Sequence, residues 1–161
     1  MSQKHLNEYL NRLAGWKSKS RIYGEACEMW VQDSIPCPKC SSALTKCETN
    51  KKSVDHICSG CGEKYQVKSS SKGFQKRDKS YRIMGAEYKT TLSKISTWNI
   101  LLVKYSEHNG CIENVLYIDR KNIFNKNVTP RKPLGPNARR TGWQGCYLDF
   151  KDEVVKELWN D

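Results

Sequence analysis

Residues 53–68 read Ser53-Val54-Asp55-His56-Ile57-Cys58-Ser59-Gly60-Cys61-Gly62-Glu63-Lys64-Tyr65-Gln66-Val67-Lys68. A tight Cys-x-x-Cys turn stands at the tip, with a strand-forming stretch on either side, so the segment folds back on itself. In the outgoing strand Gln66 and Lys68 are two apart and share one face, while Tyr65 and Val67 take the other. Asp55 lies on the incoming strand, a few residues before the turn, where it can meet the face of Gln66 and Lys68. His56, the next residue, points away and is not assigned as a base. An acid, an amide oxygen and a lysine on one sheet surface suit metal-assisted phosphodiester hydrolysis. The oxygens hold Mg2+, a hard cation, and the ammonium steadies developing negative charge.

The turn has a counterpart upstream. Cys37-Pro38-Lys39-Cys40 and Cys58-Ser59-Gly60-Cys61 are separated by seventeen residues, which fits the spacing of a four-cysteine zinc site. Two residues between ligands let one turn aim both sulfurs at one ion. Gly60 and Gly62 give the second turn backbone freedom, and Pro36 and Pro38 stiffen the first. Four thiolates close a tetrahedron and leave no position for water, so the expected Zn2+ is structural. Cys27, Cys47, Cys111 and Cys146 lack such spacing and read as small buried apolar residues.

Working outward, Leu6, Tyr9, Leu10 and Leu13 recur at helical spacing and predict a helix over 3–14, ended by Gly15. A second helix is expected over 20–31. Strands are expected near 42–48, 53–58 and 63–68, followed by an exposed basic loop over 69–80. A helix is expected near 82–95. The apolar run 98–105 predicts a strand buried on both faces, and 111–118 a partner strand joined through Glu107-His108-Asn109-Gly110. Residues 129–145 hold three prolines and three arginines and are expected to lack regular structure. Val154, Val155, Leu158 and Trp159 predict a closing helix. The fold class is therefore α/β (α+β), a mixed central sheet flanked by helices, with 1–161 as one domain carrying a zinc ribbon at about 36–62.

The 161 residues carry 28 Lys and Arg against 17 Asp and Glu, a formal charge of +11. An acidic polymer is the first partner to consider. No apolar run approaches the roughly 20 residues that cross a bilayer, and the N-terminal stretch lacks a signal-peptide core. A cytoplasmic protein of prokaryotic type, with no membrane partner, is expected. Two segments qualify for nucleic-acid contact. In 129–145, Arg131, Lys132, Arg139 and Arg140 can grip phosphates or guanine edges, Asn137 and Gln144 can read adenine, and Trp143 can stack or wedge. In the basic loop, Lys72, Lys76, Arg77, Lys79 and Arg82 can track backbone phosphates.

The order YGEACEMWVQDSIPCPKC, VDHICSGCGEKYQVKSSSKG, RKPLGPNARRTGWQGC resembles the catalytic domain of DpnI-like methyl-directed restriction endonucleases. These define the Dam-replacing family within the PD-(D/E)xK nucleases. The resemblance runs from about Trp16 to Asp149. It implies a restriction-endonuclease-like core with a four-cysteine ribbon insert, and a Mg2+-dependent type II endonuclease acting on double-stranded DNA. The implied target carries 6-methyladenine in GATC-like sites. On this resemblance Asp55 matches the metal-binding aspartate, Lys68 the catalytic lysine, and the Val67 carbonyl a main-chain metal ligand. Gln66 stands where a glutamate is expected, and a neutral ligand holds Mg2+ less strongly. Glu28 matches a helix glutamate that can orient the metal's waters, or is a solvent-facing helix charge. Relatives carry a C-terminal winged helix, and this chain is expected to lack one, which assigns sequence reading to the catalytic domain, a homodimer or a separate DNA-reading protein. Two alternatives stay open: a nuclease of the same fold specific for unmethylated sites, and a non-catalytic zinc-ribbon DNA-binding module favoured by Gln66.

Overall fold

A computed structural model of the chain describes residues 5–13, 15, 18–48 and 54–160. The ends of the expected first helix, Trp16 and Ser53 lie outside the described residues. The apolar run at 98–105 forms β5 (Asn99–Ser106), which pairs antiparallel with β6 (Cys111–Ile118). The turn between them closes at Gly110, whose φ is 61°. On its other side β5 pairs parallel with β3 (Lys64–Ser70) in the register Tyr65↔Asn99 through Ser70↔Lys104. Two short antiparallel strands, β2 (His56–Cys58) and β1 (Leu44–Lys46), extend the sheet beyond β3. The last strand, β9 (Val155–Asn160), pairs with β6 and completes a six-stranded mixed sheet, β1-β2-β3-β5-β6-β9.

Alternation along the central strands sorts the core into two halves. Leu101, Val103, Val115 and Tyr117 face one way, with Tyr65 and Val67, against α1 (Leu6–Arg12) and α2 (Lys19–Ser34). Both helices bury residues at helical spacing, Leu6 and Tyr9 in α1 and Ala26, Cys27, Trp30 and Val31 in α2, as one apolar stripe requires. The Tyr9 hydroxyl donates to Asp33 at 2.9 Å and joins the two. α2 stops just before Pro36, because the residue preceding a proline is disfavoured in helical geometry. Ile100, Leu102, Leu116 and Ile118 face the other way, against Ile83, Leu148 and Phe150. These last belong to a second, three-stranded sheet of β4 (Tyr81–Glu87), β8 (Gly145–Phe150) and β7 (Val128–Pro130), in the order β4-β8-β7.

The structure corrects two expected helices. Residues 82–95 are not one helix, for β4 occupies the first half and α3 is confined to Tyr88–Lys94. β4 faces β8, and a side chain at Gly85 would meet Cys146 Sγ at 2.6 Å, so the backbones approach closely there. α3 starts only where the Glu87 carboxylate accepts the Thr90 N–H at 2.9 Å and caps it. The expected closing helix is β9, because it satisfies the edge of β6 and sets Trp159 edge-on to Trp30 at 5.2 Å. The first two strands are also shorter than expected, and β7 gives residues 128–130 regular structure. β3 extends to Ser70, so the basic loop begins later than position 69. Cys47 and Cys111 are half-buried rather than buried, Cys47 just after β1 and Cys111 at the start of β6. Among the described residues, no helix is long and apolar enough to cross a membrane.

Candidate functional site

The four sulfurs of Cys37, Cys40, Cys58 and Cys61 lie within 4.8 Å of one another. Cys37 and Cys61 approach to 3.7 Å and Cys40 and Cys58 to 3.3 Å. A tetrahedral zinc with sulfurs at ~2.3 Å has edges of ~3.8 Å, so the cluster has the size of a zinc site. The two turns are built alike. The Cys37 N–H donates to Ser42 and the Ser41 N–H to Cys37, at 2.9 and 2.8 Å. Likewise the Cys58 N–H donates to Glu63 and the Gly62 N–H to Cys58, at 2.8 and 3.1 Å. The residue after each second cysteine is left-handed, with φ of 63° at Ser41 and 72° at Gly62. Gly60 matters differently, because a Cβ there would lie 2.2 Å from Ser42 Oγ. The Gly60 and Cys61 N–H groups both point to Cys58 Sγ at 3.4 Å, as amides around a thiolate do. Ser42 pulls the Cys40 thiol down to about 6 through its hydroxyl and N–H. Against the lowering effect of the Glu63 main chain, burial and the neighbouring sulfurs push Cys61 up to about 12. Four thiols this close do not ionise together without a cation among them, so the donor set fits Zn2+.

A polar network, not evident from the spacing, fixes this cluster to the central sheet. Lys39, inside the first turn, pairs with Glu63 at 3.2 Å and Asp119 at 3.5 Å. Glu63 also accepts from Arg120 at 3.0 Å and from Asn99 at 2.9 Å. The Tyr65 hydroxyl lies 3.0 Å from Cys37 Sγ.

Immediately beyond Tyr65 the expected acid meets β3, close to the charge of the expected lysine. The Asp55 N–H donates to the Tyr65 carbonyl at 2.9 Å, and Asp55 Oδ2 accepts the Val67 N–H at 2.7 Å. Asp55 is thus held against β3 at Tyr65 and Val67, although it lies just outside β2. Burial raises its carboxyl above the ordinary range, opposed by the Val67 N–H and the Lys68 charge. Glu28 on α2 belongs to the same cluster and is not a free solvent-facing charge. Burial, then repulsion from Asp55, pushes it up to about 7, with Lys68 opposing. Gln66 is buried. His56 is fully buried, and neither ring nitrogen reaches hydrogen-bond geometry. Burial, then the Lys46 charge, holds it down to about 4, and the nearby Glu28 main chain offsets this only in part. It is neutral at pH 7.

The two basic segments lie on the β3–β4 loop and the β7–β8 hairpin. Lys72, Lys76, Arg77 and Lys79 are exposed on the loop between β3 and β4. Arg82 departs from the expectation: its guanidinium binds Asp149 through two bonds, at 2.7 and 3.0 Å, and stacks on Tyr147. Residues 131–144 extend the β7–β8 hairpin, with the Arg131 N–H on Gly145 and the Leu134 N–H on Trp143. Lys132, Asn137, Arg139 and Arg140 are exposed along it, while Arg131 is half-buried over Tyr147. Trp143 is half-buried and belongs to neither core, with Arg140 over its ring at 4.6 Å. The Gln144 side-chain amide donates to the Arg131 carbonyl at 2.9 Å and so holds the loop together.

The family model of DpnI, described as the Dam-replacing family, matches residues 4–155. That match takes in the four cysteines, Asp55, Gln66, Lys68 and both basic segments, and so the chain belongs to the Dam-replacing family.

Proposed function

We propose that the protein is a Mg2+-dependent restriction endonuclease that cleaves adenine-methylated double-stranded DNA, with Zn2+ in the four-cysteine cluster as a structural ion. The observation that supports this best is the Asp55 carboxylate seated on the Val67 N–H of β3, with Lys68 close to both Asp55 and Glu28. Two carboxyl groups, both raised by burial and one by the charge of the other, form a site that a divalent cation relieves. Asp55, the Gln66 amide oxygen and the Val67 carbonyl hold Mg2+ in this reading. When bound, it supplies polarisation of phosphoryl oxygens and acidification of water. Lys68 offers its ammonium to the charge that grows on the phosphate during attack. Glu28, fixed on α2, accepts a hydrogen bond from the attacking water and aligns it for in-line displacement of the 3′ oxygen. Glutamine at position 66 lowers the charge of the site, so the Mg2+ requirement should be high.

The Arg131–Gly145 hairpin is the DNA reader in this proposal, with Trp143 against the methylated base and Arg139 on phosphate. One methyl adds only about 0.8 kcal/mol of burial, or roughly fourfold in affinity. Strong methyl dependence therefore needs more than burial, such as two methyls read by two subunits or a loop ordered only on the methylated site. The test is incubation of the protein and Mg2+ with methylated and unmethylated plasmid, alongside Asp55→Ala and Lys68→Ala. Cleavage confined to methylated plasmid and lost in both variants supports the proposal. Equal cleavage of the two plasmids points to a nuclease of other specificity. Tight binding without cleavage at any Mg2+ concentration returns Gln66 to a non-catalytic, DNA-binding module.

A further inference from the structure

Tyr65 stands at the junction of the two candidate centres. It is fully buried, and its hydroxyl lies 3.0 Å from Cys37 Sγ, a sulfur that is itself 1% exposed. Its main chain belongs to the other centre: the Tyr65 carbonyl accepts the Asp55 N–H at 2.9 Å, and the next two residues are Gln66 and Val67. Asp55 then accepts the Val67 N–H at 2.7 Å. One residue therefore touches the cysteine cluster with its side chain and the acid with its backbone. A metal-bound thiolate has no proton to give, so in the zinc-loaded protein the tyrosine is the donor. The ring packs beside Tyr117, whose own hydroxyl points to Asn99 and Asp119.

We infer that Tyr65 is a positioning residue: its hydroxyl donates to the zinc-bound Cys37 thiolate and thereby sets β3 at Gln66–Lys68 against Asp55, so that metal in the ribbon fixes the geometry of the acid–amide–lysine cluster. This rests on the zinc part of the proposed function but not on nuclease activity. Outer-shell hydrogen bonds to metal ligands orient them and tune their basicity, and their loss typically costs about 10- to 100-fold in metal affinity. Losing the hydroxyl raises the energy of the sulfur lone pair and lowers that of sulfur-to-metal charge transfer. It also frees Tyr65, and with it the Asp55–Val67 bond, to open locally.

The test uses the full chain, with Tyr65→Phe removing one oxygen and adding no bulk. Loaded with Co2+, the variant should show its thiolate charge-transfer band at longer wavelength than the wild type. Its metal should pass to a chelator about tenfold faster. Loaded with Zn2+, it should exchange the Val67 amide hydrogen several-fold faster, while the Leu102 amide in β5 stays unchanged. In the wild type, Val67 exchange should accelerate in step with metal removal by EDTA, a measurement that needs no variant. A band at the wild-type wavelength overturns the inference, and so does a Val67 amide indifferent to zinc removal. Absence of cobalt–thiolate bands in the wild type would remove the zinc reading together with this one. A wild type that keeps its bands but cuts no DNA would count against the nuclease alone.

Discussion

Glu63→Gln removes one charge from the network that joins the cysteine ribbon to the central sheet and leaves its shape unchanged. The Glu63 side chain is 16% exposed and faces Arg120 at 3.0 Å, Lys39 at 3.2 Å and the Asn99 amide at 2.9 Å. Burial works against its ionisation, but Arg120, Asn99 and Lys39 together bring the carboxyl from 4.5 to about 2. A change of that size corresponds to about 3 kcal/mol favouring the charged form. Arg120 is 38% exposed, and solvent screens the pair, so about half of this, ~1.5 kcal/mol, should reach stability. The glutamine keeps the contact to Asn99 but leaves Arg120 and Lys39 without their carboxylate. Because the folded value lies below the ordinary one, the stabilisation is complete above about pH 4.5 and is lost as pH falls towards 2. Urea unfolding of both proteins with zinc present should therefore show the variant weaker by ~1.5 kcal/mol at pH 7 and equally so at pH 8. The gap should narrow in 1 M salt, where the screening length is about 3 Å. No gap at pH 7, or one that widens on acidification, would refute this account of the network.

Glu28→Gln acts with the opposite sign. Its folded value of about 7 lies above the ordinary 4.5, so without Mg2+ the wild type should lose stability as pH rises from 4.5 to 7. Glu28→Gln should flatten that slope in urea titrations at pH 5 and pH 8, and an unchanged slope would place the titration elsewhere. Gln66→Glu should retain cleavage and lower the Mg2+ concentration for half-maximal rate several-fold, since it adds a charged ligand; complete inactivity would show that the amide has another role. Trp143→Ala should reduce cleavage of methylated plasmid far more than non-specific DNA binding, whereas Arg139→Ala should weaken binding and lower its salt slope by about 1. Equal losses on methylated and unmethylated DNA for Trp143→Ala would make that ring part of the scaffold.

What the sequence determined by itself was whatever depends on near neighbours or on one strong pattern. Two Cys-x-x-Cys turns carry their own geometry, and the sulfurs converge as the spacing requires. The run at 98–105 is apolar on both faces except at Asn99 and Lys104, and β5 is buried on both. The two-residue step from Gln66 to Lys68, and the turn that folds Asp55 back on β3, are likewise local. The tertiary structure alone decided the short segments whose pattern fits either helix or strand. Residues 81–87 and 155–160 become β4 and β9 because β8 and the edge of β6 have backbone groups to satisfy, and those partners lie far away in sequence. Charges behave in the same way. Arg82 is indistinguishable in sequence from its basic neighbours until Asp149 arrives to bind it, 67 residues later. Glu28 is an ordinary helix glutamate until packing buries it beside Asp55. Nothing in the sequence around Cys37 and Tyr65 says that a hydroxyl meets a thiolate, because only the packing of the first cysteine turn against β3 brings them to 3.0 Å. Propensity and spacing act over a few residues, whereas hydrogen-bond satisfaction and desolvation are settled only when distant segments meet.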